Sequence, residues 1–199
     1  MVKTIHLVRH GHHALLGRVL CGRMMTGIEL DEMGCRQMSL CADLIAPAPC
    51  VIQSSPQRRT QQSAGILASR FGLPVEIVSA VDEIDFGTWT GAFFGELDDD
   101  PCWKRWNSRR GTGRPPHGED MRSVQRRVVQ HLEQLGNDQA DGTIAIVSHA
   151  EPIRAALLHY LRIALDDFHS IEVDPASVST LSVDKAGIHV RQVNQRVLA

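Results

Sequence analysis

With 199 residues, 43% of them hydrophobic, the chain is long enough to bury a core and short enough that residues 1–199 are expected to form a single domain. Lys+Arg of 21 against Asp+Glu of 23 gives a formal net charge of −2, which excludes a global field steering the protein to nucleic acid or to an anionic membrane. The basic residues divide as 18 Arg and only 3 Lys, beside 10 His, so any anion site would be built from guanidinium forks and imidazoles rather than ammonium groups.

In chain order, the opening MVKTIHLVRH lacks the long apolar stretch and small-residue cleavage site of a signal peptide. Thr4-Ile5-His6-Leu7-Val8 reads as a buried strand bounded by Gly11. Asp31 is placed to cap a helix with the apolar face Met38, Cys41, Leu44 and Ile45, ended by Pro47. Cys50 to Gln53 is a second strand, stopped by Ser54-Ser55-Pro56. Ala64, Leu67, Ala68 and Phe71 mark a helix closed by Gly72. Val75 to Val78 is a third strand. Met121, Val124, Val128, Leu132 and Leu135 describe the cleanest helix, with Gly136 as its expected stop. Thr143 to Val147 is a fourth strand, and Ile153, Leu157, Tyr160 and Leu161 define a last helix. Val178 to Val193 alternates around Asp184-Lys185-Ala186-Gly187 as an antiparallel hairpin.

Strands alternating with helices predict an α/β fold of three layers, α/β/α, on a mostly parallel sheet with a C-terminal antiparallel hairpin. No apolar run approaches the roughly 18–20 residues of a spanning helix, so no membrane partner is expected. The cysteines number five and form no C-x-x-C pair, which suits a reducing, cytoplasmic setting better than a disulfide framework.

Such sheets bind ligands at the carboxyl ends of their strands. There the sequence puts Arg9-His10-Gly11, then Ser54-Ser55-Pro56-Gln57-Arg58-Arg59, then Ser148-His149-Ala150. Each cationic residue alone is more simply a satisfied buried group or a surface charge. Three strand ends delivering such groups to one edge point instead to phosphoryl transfer. A neutral imidazole can attack phosphorus, Arg forks match the equatorial oxygens, and Gly11 lets backbone pass close to the phosphate. The leaving alkoxide then needs a proton from a positioned acid.

Five segments carry a family resemblance. Leu7-Val8-Arg9-His10-Gly11 resembles the Arg-His-Gly signature of the histidine phosphatase (phosphoglycerate mutase-like) superfamily. Ser55-Pro56-Gln57-Arg58-Arg59-Thr60-Gln61-Gln62-Ser63-Ala64 is similar to its second motif, whose phasing selects Arg59 over Arg58. Glu83 to Gly91 is similar to the motif led by the proton donor, and Pro116-His117-Gly118-Glu119 to the Pro-Gly-Gly-Glu opening a long helix. Val147-Ser148-His149-Ala150-Glu151-Pro152-Ile153-Arg154 resembles Val-Ser-His-Gly-Gly-x-Ile-Arg. The resemblance implies His10 as nucleophile, Arg9, Arg59 and His149 as the phosphate pocket, and Glu83 as general acid and then base. By family position it also implies a backbone contact from the Cys21-Gly22 turn, no metal and no organic cofactor, and a small-molecule phosphate ester as partner. A homodimer is compatible with it. Asp82 and Asp85 compete with Glu83 for the acid, with loop carboxylates as the simpler account of both.

Departures lie at His12 and His13, where the family has Glu or Gln and then Thr, at Leu16 near a pocket Asn, and at Gln57, Ser63 and Ala150. They remove no catalytic group, but those after Arg-His-Gly change the pocket wall. The cluster His6, His10, His12 and His13 raises a metal site as a rival, weakened by Ala14 where an Asp would follow. Lys104 to Arg127 collects basic residues expected to be a solvated face, with an anion-attracting rim as the alternative. Trp103 and Trp106 share one helical face. A metal-independent phosphomonoester hydrolase is thus expected. Phosphoglycerate mutase chemistry and a non-catalytic phospho-ligand binding module are the alternatives.

Overall fold

A computed structural model describes residues 3–138 and 142–197. The central strands, β1 (Lys3–Arg9) and, later in the chain, Thr143–Ser148, run parallel from Thr4 opposite Thr143 to Arg9 opposite Ser148. Their apolar runs are continuous because both faces are covered, and alternate side chains enter two different cores. Ile5, Leu7, Ile144 and Ile146 face one core; Val8, Ala145 and Val147 face the other.

The second core is closed by α1 (Glu32–Cys41) and α2 (Arg58–Phe71), through Met38, Cys41, Ala64 and Leu67. Asp31 accepts a hydrogen bond from the Gly34 amide at 2.9 Å, which satisfies one orphan donor of α1. The chain then tightens into a 3-10 turn, Ala42–Leu44, before Pro47. Gly72 ends α2 in a left-handed conformation at φ 69°. α2 begins at Arg58 rather than near Ala64. Its first turns carry the polar residues Arg59, Thr60 and Ser63, which give no apolar periodicity yet are buried.

β2 (Val51–Ser54) and β3 (Val75–Ile77) extend the parallel part of the sheet. A 3-10 turn, Ser79–Val81, leads into a loop followed by α3 (Phe94–Leu97), unanticipated in the sequence, and α4 (Pro101–Ser108), which carries the helical face expected of Trp103 and Trp106. Pro101 at the first helical position and Asp100, accepting from the Cys102 amide at 2.7 Å, start α4. Trp103 and Trp106 pack inward from it, Trp106 fully buried.

α5 (Met121–Asn137) and α6 (Ala150–Leu161) cover the first core, and Thr143–Ser148 between them is β4. Gly136 does not stop α5. It lies inside the helix, facing Val183 and Ile188 of the last strands, where a Cβ would make only ordinary contact. These, β5 (Val178–Asp184) and β6 (Gly187–Gln195), form the antiparallel hairpin. The sheet order β3-β2-β4-β1-β5-β6 makes the expected three-layer α/β/α arrangement, mostly parallel with an antiparallel C-terminal edge. It also puts the C-terminal ends of β2, β4 and β1 side by side. Among the described residues, no helix is long and apolar enough to cross a membrane.

Candidate active site

Adjacent strand ends gather the cationic groups. Arg9 is the last residue of β1 and His10 follows it; Arg59 lies in the first turn of α2; His149 stands between β4 and α6. Arg9, His10, Arg59 and Glu83 line a cavity of about 350 Å³. Apolar residues Leu16, Val19, Leu20, Phe86 and Phe94 form part of its wall, and Glu151 and Arg154 of α6 supply charge there. A larger cavity of about 830 Å³, between α5, α6 and the segment after α6, contains none of these groups.

His10 is buried, and its Nδ1 lies 2.8 Å from the Gly11 carbonyl oxygen. A carbonyl only accepts, so Nδ1 carries the proton and Nε2 keeps its lone pair. Burial, reinforced by the Arg9 and Arg59 charges, holds the imidazole well below its usual pKa range and therefore neutral. An imidazole in that state is a nucleophile rather than a cation.

The arginines are fixed by backbone carbonyls: Arg9 Nη1 donates to Val173 at 2.7 Å, and Arg59 to Met25 and Cys21, both at 3.4 Å. Each Nε is buried with no hydrogen-bond partner among the described residues, which leaves donor capacity for an oxyanion.

His149 is fully buried. Its Nε2 is 2.8 Å from Ser55 Oγ, which in turn donates to Asp82 Oδ1 at 3.0 Å. Because the Ser55 proton goes to the carboxylate, Nε2 of His149 must be the donor, and Nδ1 is left bare, 3.8 Å from Glu83 Oε2. Burial, with the Arg59 and His10 charges, pushes this imidazole well below its usual range.

Glu83 is buried, and its carboxyl is pushed up to about 7, chiefly by burial, with Arg59 opposing and Glu151 adding to the rise. A carboxyl near 7 can both give and take a proton close to neutrality. Asp82 and Asp85 do not line the cavity. Asp82 Oδ1 collects Ser55 Oγ, Gln57 Nε2 and the Glu83 amide, and Asp85 accepts from the Gly87 amide in a local turn.

Other sequence candidates have different places. Gly11 is small because a Cβ would fall 2.5 Å from the Gly34 carbonyl of α1, and its amide donates to Ser63 Oγ at 3.2 Å. The close backbone approach is therefore to a helix. Cys21 lines the cavity, whereas Gly22 packs behind it against Ile84 and Phe86. Gln57, at a position where the resemblance has Leu, donates to Asp82 and to the Arg23 carbonyl. His12 Nδ1 meets Asp31 Oδ2 at 2.6 Å and His6 Nδ1 meets Thr180 Oγ1 at 3.1 Å. Among the described residues, no group of three or more His, Cys, Asp or Glu is arranged to hold a metal ion.

The basic segment is only partly solvated. Arg110 is buried between the rings of Trp106 and Phe168, 4.4 Å from each centroid, and pairs with Glu151 at 2.9 Å. It is a support for the cavity wall, not part of an anion-attracting rim. Arg127 and Arg23 both pair with Glu119 and both donate to the Glu83 carbonyl. The Pro-His-Gly-Glu segment thus braces the backbone that carries Glu83. Arg23, Ser55, Glu151 and Arg154 were not singled out by sequence reasoning for these roles. An acidic residue at 151, inside a motif written with glycine there, was the available signal for one of them.

The sequence signature described as "Histidine phosphatase superfamily (branch 1)" matches residues 5–196. Phosphoserine phosphatase 1 of Hydrogenobacter thermophilus is 31% identical over 190 residues, covering 93% of this chain and 88% of that protein. A bifunctional protein of Mycobacterium tuberculosis is 33% identical over 199 residues, 95% of this chain but 53% of that protein, so the chain spans about half of it. A solved phosphoserine phosphatase mutant from Entamoeba histolytica, in complex with phosphoserine, superposes with a TM-score of 0.86 at 26% identity, covering 97% of each chain.

Proposed function

Because the chain belongs to branch 1 of the histidine phosphatase superfamily, we propose that it hydrolyses small-molecule phosphate monoesters through a phosphohistidine on His10. The carrying observation is the Nδ1–H of His10 held by the Gly11 carbonyl, which leaves Nε2 as a bare nucleophile on a ring lining the cavity.

In the first step Nε2 attacks phosphorus, the P–O bond to the leaving group breaks, and Glu83 gives its proton to the departing oxygen. In the second, water attacks phosphorus, Glu83 takes the water proton, the N–P bond breaks and inorganic phosphate leaves. Arg9 and Arg59 meet the charge on the non-bridging oxygens; His149 does not line the cavity and has its Nε2–H engaged by Ser55, so it joins the pocket only when Nδ1 gains a proton as phosphate arrives. The roles of metal and organic cofactor are thereby taken by the chain's own residues. Gly11 and the Cys21-Gly22 turn support the pocket through backbone packing in this scheme.

We further propose that residues 1–199 act as one domain, since the cavity draws on side chains from Arg9 to Arg154 and the sheet joins strands from both ends of the chain. The five cysteines are all unpaired, which fits a reducing cytoplasm. Phosphoserine, named for two of the similar proteins, heads the substrates to try.

The test is a phosphomonoester panel with and without chelator, including 3-phosphoglycerate plus its bisphosphate, and acid-quench trapping of a phosphoprotein. Phosphate release that persists in chelator, with a trapped phosphoprotein lost in His10→Ala, is the expected result. Transfer to 3-phosphoglycerate in place of water would make the enzyme a mutase. No turnover of any ester would leave a binding module.

A further inference from the structure

His13 is one of the chain's own departures, and the scheme above gives it no task. It is 2% exposed and lines the same cavity as His10, with ring centroids 5.3 Å apart. His149 lies 5.2 Å from His10 by the same measure, so two further imidazoles flank the nucleophile. Yet Nδ1 of His13 is buried with no hydrogen-bond partner among the described residues. A buried polar atom left unpaired is costly, and such an atom on a residue that lines a ligand cavity points to a ligand that completes it.

We propose that His13 is a further ligand to the transferring phosphoryl group, donating a hydrogen bond to a non-bridging oxygen while phosphorus is bound at His10. The inference rests on the phosphatase reading above and adds to it a contact made by this chain's own residue.

The charge distribution selects the phosphoryl group over the leaving group. The Arg59 and Arg9 guanidinium groups bear on His13 as they do on His10; with burial as the larger cause, they lower its pKa to about 4. His13 therefore sits neutral, close to both arginines, with an N–H that can reside on either ring nitrogen. A dianion arriving between these groups favours the tautomer that donates to it. His12, by contrast, already has its partner in Asp31.

The experiment compares wild type, His13→Phe and His13→Gln in hydrolysis of p-nitrophenyl phosphate and in inhibition by inorganic phosphate and by vanadate. Phe keeps the ring volume without a donor; Gln keeps a donor. Loss of one hydrogen bond to a charged group should weaken both inhibitors roughly ten- to a hundredfold in His13→Phe, and Gln should restore most of it. If the variants do not fold, ring resonances of 15N-histidine-labelled wild type serve instead: vanadate should shift those of His13 together with those of His10. Inhibition unchanged in His13→Phe, or His13 resonances unmoved by vanadate, would overturn the inference. So would a change confined to the KM of larger esters, which would put His13 on the leaving group. Absence of any wild-type turnover would instead sink the phosphatase reading itself.

Discussion

Ser55 Oγ stands 2.8 Å from His149 Nε2 and donates its own hydrogen bond to Asp82 Oδ1, 3.0 Å away. A buried hydroxyl thus fixes which nitrogen of a buried imidazole carries the proton. It also connects that imidazole to a carboxylate that could balance a positive charge when phosphate arrives. Ser55→Ala should remove the tautomer control while leaving His149 in place. Turnover is expected to fall roughly tenfold to a hundredfold, the weight of a hydrogen bond to a charged group. Steady-state kinetics beside a thermal melt checks this: the idea fails if kcat is unchanged, or if it falls only in proportion to lost folded protein.

Glu83 sets a second expectation, in pH. Its carboxyl, pushed up to about 7 by burial, must be protonated to assist departure of the leaving group. The rate for alkyl phosphates should therefore decline as pH rises through about 7. Glu83→Gln should lose roughly 10²–10⁴ in rate with such esters. It should lose less with p-nitrophenyl phosphate, whose phenolate leaves without a proton. Because Glu83 also serves the water step, the comparison is made on the rate of His10 phosphorylation in rapid-quench experiments; equal losses there with both leaving groups would remove Glu83 from the acid role.

The brace behind Glu83 makes a third. Arg127 donates to the carbonyls of Ala80 and Glu83 at 2.7 and 3.2 Å and pairs with Glu119 at 3.0 Å. Arg127→Ala leaves the Ala80 carbonyl without its side-chain donor and removes one of the two arginines that Glu119 and the Glu83 carbonyl share with Arg23, at a cost of about 1–3 kcal/mol. Glu119→Gln keeps the shape and should be milder. Denaturant unfolding gives the stability, and the pH profile of the surviving enzyme reports whether Glu83 has shifted; stability within about 0.5 kcal/mol of wild type would refute the brace.

Much of this architecture could be read from the chain itself, for physical reasons that differ by element. β1 and β4 are buried on both faces, so their apolar runs are unbroken and their ends, where Arg9 and His149 sit, follow directly. The start of α2 was invisible because its buried first turns are polar, facing the site rather than a core. Gly136 reads as a stop because a glycine inside a helix and a capping glycine are the same letter. Arg110 looked like a rim charge because only tertiary structure reveals the rings of Trp106 and Phe168 around it. The Ser55–Asp82 connection joins residues from separate loops, and no local spacing encodes it.

The same burial that readies the site should make the fold acid-sensitive. His10, His13 and His149 are each held below the usual imidazole range, chiefly by burial, and His6 and His131 are lowered likewise. For a lowered imidazole the unfolded chain binds more protons below pH 6.5, so stability is present above that pH and drains away as pH falls. Glu83 acts oppositely: its raised carboxyl takes up a proton in the folded state between about 7 and 4.5 and gains stability as pH falls through that window. Each proton changes the slope by about 1.4 kcal/mol per pH unit. Several imidazoles against one carboxyl leave a net loss on the order of 2–3 kcal/mol per unit between pH 6 and 5. Urea unfolding at pH 7, 6 and 5 should show this slope. His13→Gln should make it shallower by about 1.4 kcal/mol per unit, since one titrating ring is gone. A flat profile, or an unaltered slope in that variant, would mean that His13 is not held neutral in the folded protein.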